Sequence, residues 1–303
     1  MPIGTLQMAH ADASGRNFLF EDMTMQAARD PSGFNLSFDP ARLRRTVLDM
    51  AYAGQTVHIG CAFSIIELLA VLYRNHLRFS PADPKSPSRD LLVLSKGHGV
   101  MAQYACMREI GWIDDDAVSN YFADGSMLKG LSDSRVPGLE VTSGSLGHGL
   151  SIAVGMALGA QLDNSDRRVF AIVGDGEMNE GPNWEAMLFA AQKKLNNLVV
   201  IVDENGFQAM GRTDEIIALG DLAAKFAAFG FDAVTIDGHN EAAIDDALIT
   251  FRNDGSNRPK ALIAHTIKGR GVSFMENDNI WHYTRLNEKT YRDAIAAIGV
   301  AQA

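Results

Sequence analysis

The chain has 303 residues, of which 47% are hydrophobic and 21% charged, and a formal net charge of −10. That length can bury a large core, as one big domain or two small ones, and the composition is that of a soluble globular protein. The negative balance argues against nucleic acid or an anionic membrane surface as a main partner, but not against an anionic cofactor, whose binding is decided by local amides and metal ions.

Residues 1–38 mix Ser, Gly, Asp, Gln and Met without periodicity and read as an extension that drapes over the body or a partner. They lack the basic start and continuous apolar core of a signal peptide, so the cytoplasm is the expected compartment. Asp39-Pro40 is a helix start, an N-cap followed by proline in the first turn. Leu43, Val47, Leu48 and Met50 to Tyr52 form one helical stripe, and Ile65 to Tyr73 another. A glycine-bounded loop carrying His58 lies between them. Cys61 and Cys106 are isolated, which suggests neither a disulfide framework nor a zinc site; both read as buried small apolar residues in a reducing compartment. Asp90 to Ser95 predicts a short buried strand, followed by a turn at Gly97-His98-Gly99 and a helix through Met107. Pro137 to Gly147 is a loop rich in Gly, Ser and Thr. Ser151 to Leu162 predicts a small-residue helix that is too short and glycine-rich to span a bilayer.

Beyond it the pattern predicts strand 169–173, helix 182–195, strand 198–202, helix 221–229, strand 232–236, helix 241–251 and strand 261–266. Strands alternating with helices imply an α/β fold, a doubly wound, mostly parallel sheet with helices on both faces, here spanning residues 39–303. Ligands of such sheets sit at the carboxyl ends of the strands. His98, Asp175, Asn205, Asp237 and His239 all fall at or just past predicted strand ends.

The most telling feature is Val173-Gly174-Asp175-Gly176-Glu177 at one strand end and Glu204-Asn205-Gly206 at the next. Parallel strands joined by a crossover helix bring their carboxyl ends side by side, which sets the Asp175 carboxylate near the Asn205 amide oxygen. Two hard oxygen ligands with neighbouring carbonyls suit Mg²⁺, which completes its octahedron with waters and ligand phosphates. Gly174 and Gly176 let a diphosphate approach the main chain, and the following helix offers free N–H groups. Asp-Gly and Asn-Gly are common turn dipeptides, so either alone is bland; at matched strand ends they are a signal.

Gly174-Asp175-Gly176, then 28 residues, then Asn205, resembles the thiamine-diphosphate fingerprint, and the wider chain resembles the N-terminal part of transketolase. The matching segments are Gln55 to Gly60, Leu94 to His98, and Pro137 to Ala157 with its core Thr142-Ser143-Gly144-Ser145-Leu146-Gly147. They continue with Asn179-Glu180-Gly181, Ile236 to His239, Lys268 to Gly271 and Trp281-His282. The resemblance covers roughly residues 40–290, far more specific than a single pattern match.

It implies a metal site of Asp175, Asn205 and the Phe207 carbonyl, holding Mg²⁺ with Ca²⁺ as an alternative. It places thiamine diphosphate against Gly144, Leu146, Gly174, Asp175, Gly176, Glu177, Asn205, His98 and His282, with the Gly174 amide on the diphosphate. Ile216 is a further candidate to line the cofactor's middle. His58 and His282 resemble the pair that handles the donor's C3 hydroxyl, and His98 the histidine beside the diphosphate and reaction centre. Histidine suits proton transfer near neutrality. His148 stands where the family usually shows glutamine and takes no role. His10, His76 and His265 read as surface or satisfied core residues; for His239 the two readings balance. Glu180 either favours a helix start or, as the resemblance implies, lies at a dimer interface linking two cofactor sites.

In one place the chain departs from the pattern. Where transketolases carry Gly-His-Pro it has Gly130-Leu131-Ser132, and the family histidine contacts the donor's C1 hydroxyl. Leucine makes no hydrogen bond, and a hydroxyl left unpaired in a dry pocket costs about 1–3 kcal/mol. An altered donor, such as one passing an acetyl rather than a glycolaldehyde unit, is the expectation unless a partner residue replaces the contact.

The resemblance further implies one half of a split enzyme, inactive alone. A second polypeptide with the pyrimidine-binding and C-terminal domains would complete an α₂β₂ assembly acting on small ketoses and aldehydes. Alternatives are an E1 α-type component of a 2-oxo acid dehydrogenase, which leaves Leu94 to His98 and Trp281-His282 unexplained, and a noncatalytic α/β regulatory module. A deoxyxylulose-phosphate synthase fits less well, being a single longer chain.

Overall fold

The computed structural model describes residues 36–299. Helix α1 (Pro40–Ala53) starts at Asp39, whose side chain accepts from the Ala41 amide, so the Asp-Pro signal acts as expected. The stretch around His58 is not all loop. His58 itself is left-handed (φ 71°), and α2 (Ile59–Phe63), entirely buried, begins directly after it. Helix α3 (Ile66–Val71) runs into a π turn, Leu72–His76. Strand β1 (Leu91–Leu94) leads through a 3₁₀ turn, Gly97–Gly99, to α4 (Val100–Ile110), then to α5 (Asp115–Ser119) capped by Asp114.

A long loop precedes α6 (Gly149–Leu162) and β2 (Val169–Gly174). A 3₁₀ turn, Gly176–Asn179, enters α7 (Gly181–Gln192), which is followed by β3 (Leu198–Glu204). A small hairpin of β4 (Phe207–Gln208) and β5 (Gly211–Arg212) and the short α8 (Thr213–Ile216) come next. Then follow α9 (Leu222–Ala228), β6 (Asp232–Asp237), α10 (Glu241–Asn253), β7 (Lys260–His265), a 3₁₀ turn at Asn279–His282 and α11 (Glu288–Ala297).

The main sheet is five-stranded and parallel throughout, in the order β1-β2-β3-β7-β6. Successive strand residues point to opposite faces, and both faces are covered. Phe170, Ile172, Val199 and Ile201 pack with α1 to α4, α10 and α11. Val169, Ala171, Val173, Val200 and Val202 pack with α6, α7 and α9. Burial on two faces explains why these strands read as continuous apolar runs, and it makes the doubly wound expectation correct. Of the predicted extension, residues 1–35 and with them His10 lie outside the described residues. Phe38 belongs to the body, buried and stacked on Tyr73 at 5.7 Å between ring centroids.

Candidate active site

The strand ends of β1, β2, β3 and β7 converge on one cluster of polar groups. Gly174 pairs with Asp203 across β2 and β3, and the next amide, that of Asp175, donates to the Asp203 carbonyl at 3.1 Å. Asp175 is 3% exposed. One of its oxygens accepts from the Gly176 amide (2.8 Å) and the other from the Gly206 amide (2.7 Å) and more weakly from Thr213 (3.4 Å). Asn205, in the same turn as Gly206, donates through Nδ2 to Asp203 (2.7 Å) and accepts at Oδ1 from the Phe207 amide (3.0 Å). Asp203 therefore fixes which end of the Asn205 amide is oxygen, and the turn 205–207 binds both side chains together.

Burial, and then the Asp203 charge, push the Asp175 carboxyl up to about 7; the two amides and Lys96 only partly oppose this. A carboxylate taken out of water without a paired cation is costly, and a bound divalent ion beside it removes that cost. The donor set of carboxylate, amide oxygen and main-chain carbonyls is the hard-oxygen chemistry of Mg²⁺. Asn179, four residues past Asp175, has both side-chain polar atoms buried and unpaired among the described residues.

Glu177 is a brace. Its oxygens accept from Ser95 Oγ (2.5 Å), the Gly147 amide (2.9 Å) and the Gly174 amide (3.2 Å), tying β1, the loop before α6 and β2 together. The Gly174 amide, expected on a diphosphate, is thus directed at Glu177, because that buried carboxyl needs donors. Gly147 adopts φ +84°, and a Cβ there would meet the Glu180 side chain at 2.6 Å; Glu180 itself is exposed. A Cβ on Gly144 would lie 2.9 Å from Leu131 Cδ1, so Leu131, 43% exposed, rests on the loop that carries Leu146. Leu146 is half-buried, and Ile216 stands partly exposed beside Gly211.

The three predicted catalytic histidines meet. Ring centroids of His58, His98 and His282 lie 5.2–5.5 Å apart, and the His58 amide donates to the His282 carbonyl at 3.0 Å. Burial, then the charges of Lys268 and Lys96, lower His58 to about 4, and burial and Lys268 take His282 to about 3; burial and Lys96 hold His98 well down too. All three are neutral imidazoles at neutral pH. Lys268 Nζ lies 2.8 Å from His282 Nδ1, which leaves the proton of that neutral ring on Nε2.

Other histidines are occupied. His239 Nδ1 donates to Glu67 (2.9 Å) and Nε2 accepts from the Ile267 amide (2.8 Å), so both ring nitrogens serve the fold and its structural reading stands. His76 is buried against Asp245, His265 pairs with Glu204, and exposed His148 reaches the Leu146 carbonyl.

Sequence reasoning assigned no role to Lys96, Asp203, Lys268 or Cys61. Lys96 and Asp203 form a fully buried ion pair between the two halves of the site. Lys96 also donates to the Cys61 carbonyl (3.1 Å), and Asp203 accepts from Ser64 (2.8 Å), Asn205 and Thr266. Burial alone would neutralise Asp203, but Lys96 and these donors hold it below the usual carboxylate range. Lys96 and Lys268 stood inside recognised motifs, and a charged residue between apolar strand ends was the available signal.

The family described as "Transketolase, thiamine diphosphate binding domain" matches residues 41–302. A relative from Phocaeicola vulgatus, named as one of the subunits of an apulose-4-phosphate transketolase, is 37% identical over 265 residues, 87% of this chain and 93% of that protein. The 6-deoxy-6-sulfo-D-fructose transketolase subunit of a Clostridium species is 39% identical over 242 residues, 80% of this chain and 88% of the relative. The transketolase of Campylobacter jejuni, a solved structure, superposes with a TM-score of 0.80 at 27% identity, covering 87% of this chain and 43% of that one. The chain thus spans less than half of the solved transketolase.

Proposed function

The chain belongs to the family of transketolase thiamine diphosphate binding domains, and from that premise we propose that it is the diphosphate-binding subunit of an enzyme moving a two-carbon ketol unit from a ketose donor to an aldehyde acceptor. The observation that carries this reading is the meeting of the His58, His98 and His282 rings, 5.2–5.5 Å apart, beside the strand ends where the buried Asp175 carboxylate lies. Thiamine diphosphate, when bound, supplies the electron sink that holds the unit between donor and acceptor.

This chain's residues do the rest. Asp175, Asn205 Oδ1 and the Phe207 carbonyl would hold Mg²⁺, or Ca²⁺, against the diphosphate. Gly144, Leu146 and Gly176 would let the cofactor approach the main chain. The donor's C2–C3 bond breaks as its C3 hydroxyl yields a proton, and the acceptor's carbonyl oxygen gains one as its carbon bonds to C2. His58 and His98, neutral, can receive such protons; His282, with its proton on Nε2, is a hydrogen-bond donor. Leu131 offers no partner to a C1 hydroxyl, so a donor other than the common sugar phosphates fits this pocket.

We further propose a cytoplasmic α₂β₂ assembly, the second polypeptide bringing the pyrimidine-binding and C-terminal domains, with Glu180 at the interface. The support is that relatives of nearly matching length are themselves named as transketolase subunits, and that Glu180 is exposed beside the Gly147 turn. Among the described residues no helix is long and apolar enough to cross a membrane. Mixing this chain with its partner polypeptide and assaying ketol transfer tests the reading. Turnover by the pair and none by either chain is expected; turnover by this chain alone contradicts the split.

A further inference from the structure

We propose that Cys61, His98 and His282 form a second metal site, for a soft divalent ion of the zinc type, distinct from the hard-oxygen site at Asp175. One ligand atom from each residue lies within 4.8 Å of the others. One edge, Cys61 Sγ to His282 Nδ1, measures 3.6 Å. A tetrahedral zinc with bonds of about 2.3 Å to sulfur and about 2.05 Å to nitrogen has an S–N edge of about 3.6 Å and an N–N edge of about 3.3 Å. Cys61 and His282 already stand at that spacing, and His98 lies within 4.8 Å of both.

The chemistry of the set matches its geometry. Thiolate and imidazole select zinc, cobalt and similar ions, whereas Mg²⁺ prefers the oxygens of Asp175 and Asn205. Burial keeps both imidazoles neutral, so no proton competes for their lone pairs. On binding, the Cys61 thiol releases its proton to solvent, two metal–nitrogen bonds and one metal–sulfur bond form, and the fourth position stays open to water. No redox change is involved.

Lys268 is the gate. Its Nζ occupies the same His282 nitrogen at 2.8 Å but also touches Asn279 Oδ1 at 2.6 Å, so it has a partner to keep when the metal displaces it. Its charge, with that of Lys96, opposes cation entry, although Lys96 is matched by Asp203. Capture here ties up two of the imidazoles placed at the reaction centre, so a zinc-type ion is an inhibitor of the proposed reaction.

Titration of the metal-free full chain with Co²⁺, followed by absorption, tests this without turnover, so its failure leaves the proposed reaction standing. One equivalent should bring a sulfur-to-cobalt charge-transfer band and the strong visible bands of tetrahedral Co²⁺. Zn²⁺ should abolish both, and excess Mg²⁺ neither. The bands should vanish in Cys61→Ala and in the near-isosteric Cys61→Ser, and persist in Cys106→Ala and Asp175→Ala. In Lys268→Met they should appear at lower Co²⁺ concentration. No charge-transfer band in the folded wild type, or one that survives both Cys61 variants, overturns the proposal.

Discussion

Asp175 is held in the metal-free protein by two amides that are too little to offset its burial. Its carboxyl rises from 3.8 to about 7, so the folded chain keeps a proton the unfolded chain has lost. The sign follows: there is no penalty below about pH 4, it grows as pH rises toward 7, and it is complete above that. Measured by urea unfolding in chelator, wild type should therefore lose stability relative to Asp175→Asn between about pH 4 and pH 8, by up to about 4 kcal/mol. The Gly206 amide left facing the new NH₂ adds only a pH-independent offset. A difference that is flat, or that grows in favour of wild type with pH, would refute the assignment.

Leu131 acts at the same scale. Resting on Gly144, it presents an apolar surface at the place where the proposed function puts the donor's C1 hydroxyl. Leu131→His should raise kcat/KM for such donors in the assembled enzyme by about fivefold or more, the lower end of a recovered hydrogen bond at a half-exposed site. An unchanged donor preference counts against this role. Asp175, Asn205 and His98 were legible because each sits in a short glycine-bounded motif at or just past a strand end, and His58 and His282 because their segments resemble the family's pattern. Cys61 was not, because an isolated cysteine in an apolar stretch carries no sign of the imidazoles that the fold brings to it.

Among the elements, the ends of β1 and β3 are not neighbours in the sheet, yet Lys96 and Asp203 join them beneath the site. Removing one partner leaves an uncompensated buried charge, so Lys96→Met should cost about 3–5 kcal/mol in urea unfolding at neutral pH. Adding Asp203→Asn should recover part of that loss, since the pair acts as a unit; strictly additive losses would show that it does not. This stitch was invisible in the sequence because its residues are 107 positions apart. The inner strands β2, β3 and β7 were legible for the opposite reason, since burial on both faces writes each as a largely apolar run. Helix α2 and the π turn after α3 were missed because five residues hold too little of a 3.6-residue period to show it. Helix α11 was missed as well, although the capping box of Asn287 and Thr290 does mark its start.

For the molecule as a whole, one parallel sheet wound on both faces brings Asp175, Asn205, the Glu177 brace, the Lys96–Asp203 pair and the imidazoles to the same edge. In the proposed function that edge receives the diphosphate of the cofactor, and Asp175 grips the cation that anchors it. The decisive measurement is calorimetric titration of thiamine diphosphate with Mg²⁺ into the complex of this chain with its partner, for wild type and a folded Asp175→Ala variant. One cofactor per copy is expected in wild type, with an affinity at least about 100-fold weaker in the variant. Equal affinity in the two would contradict it.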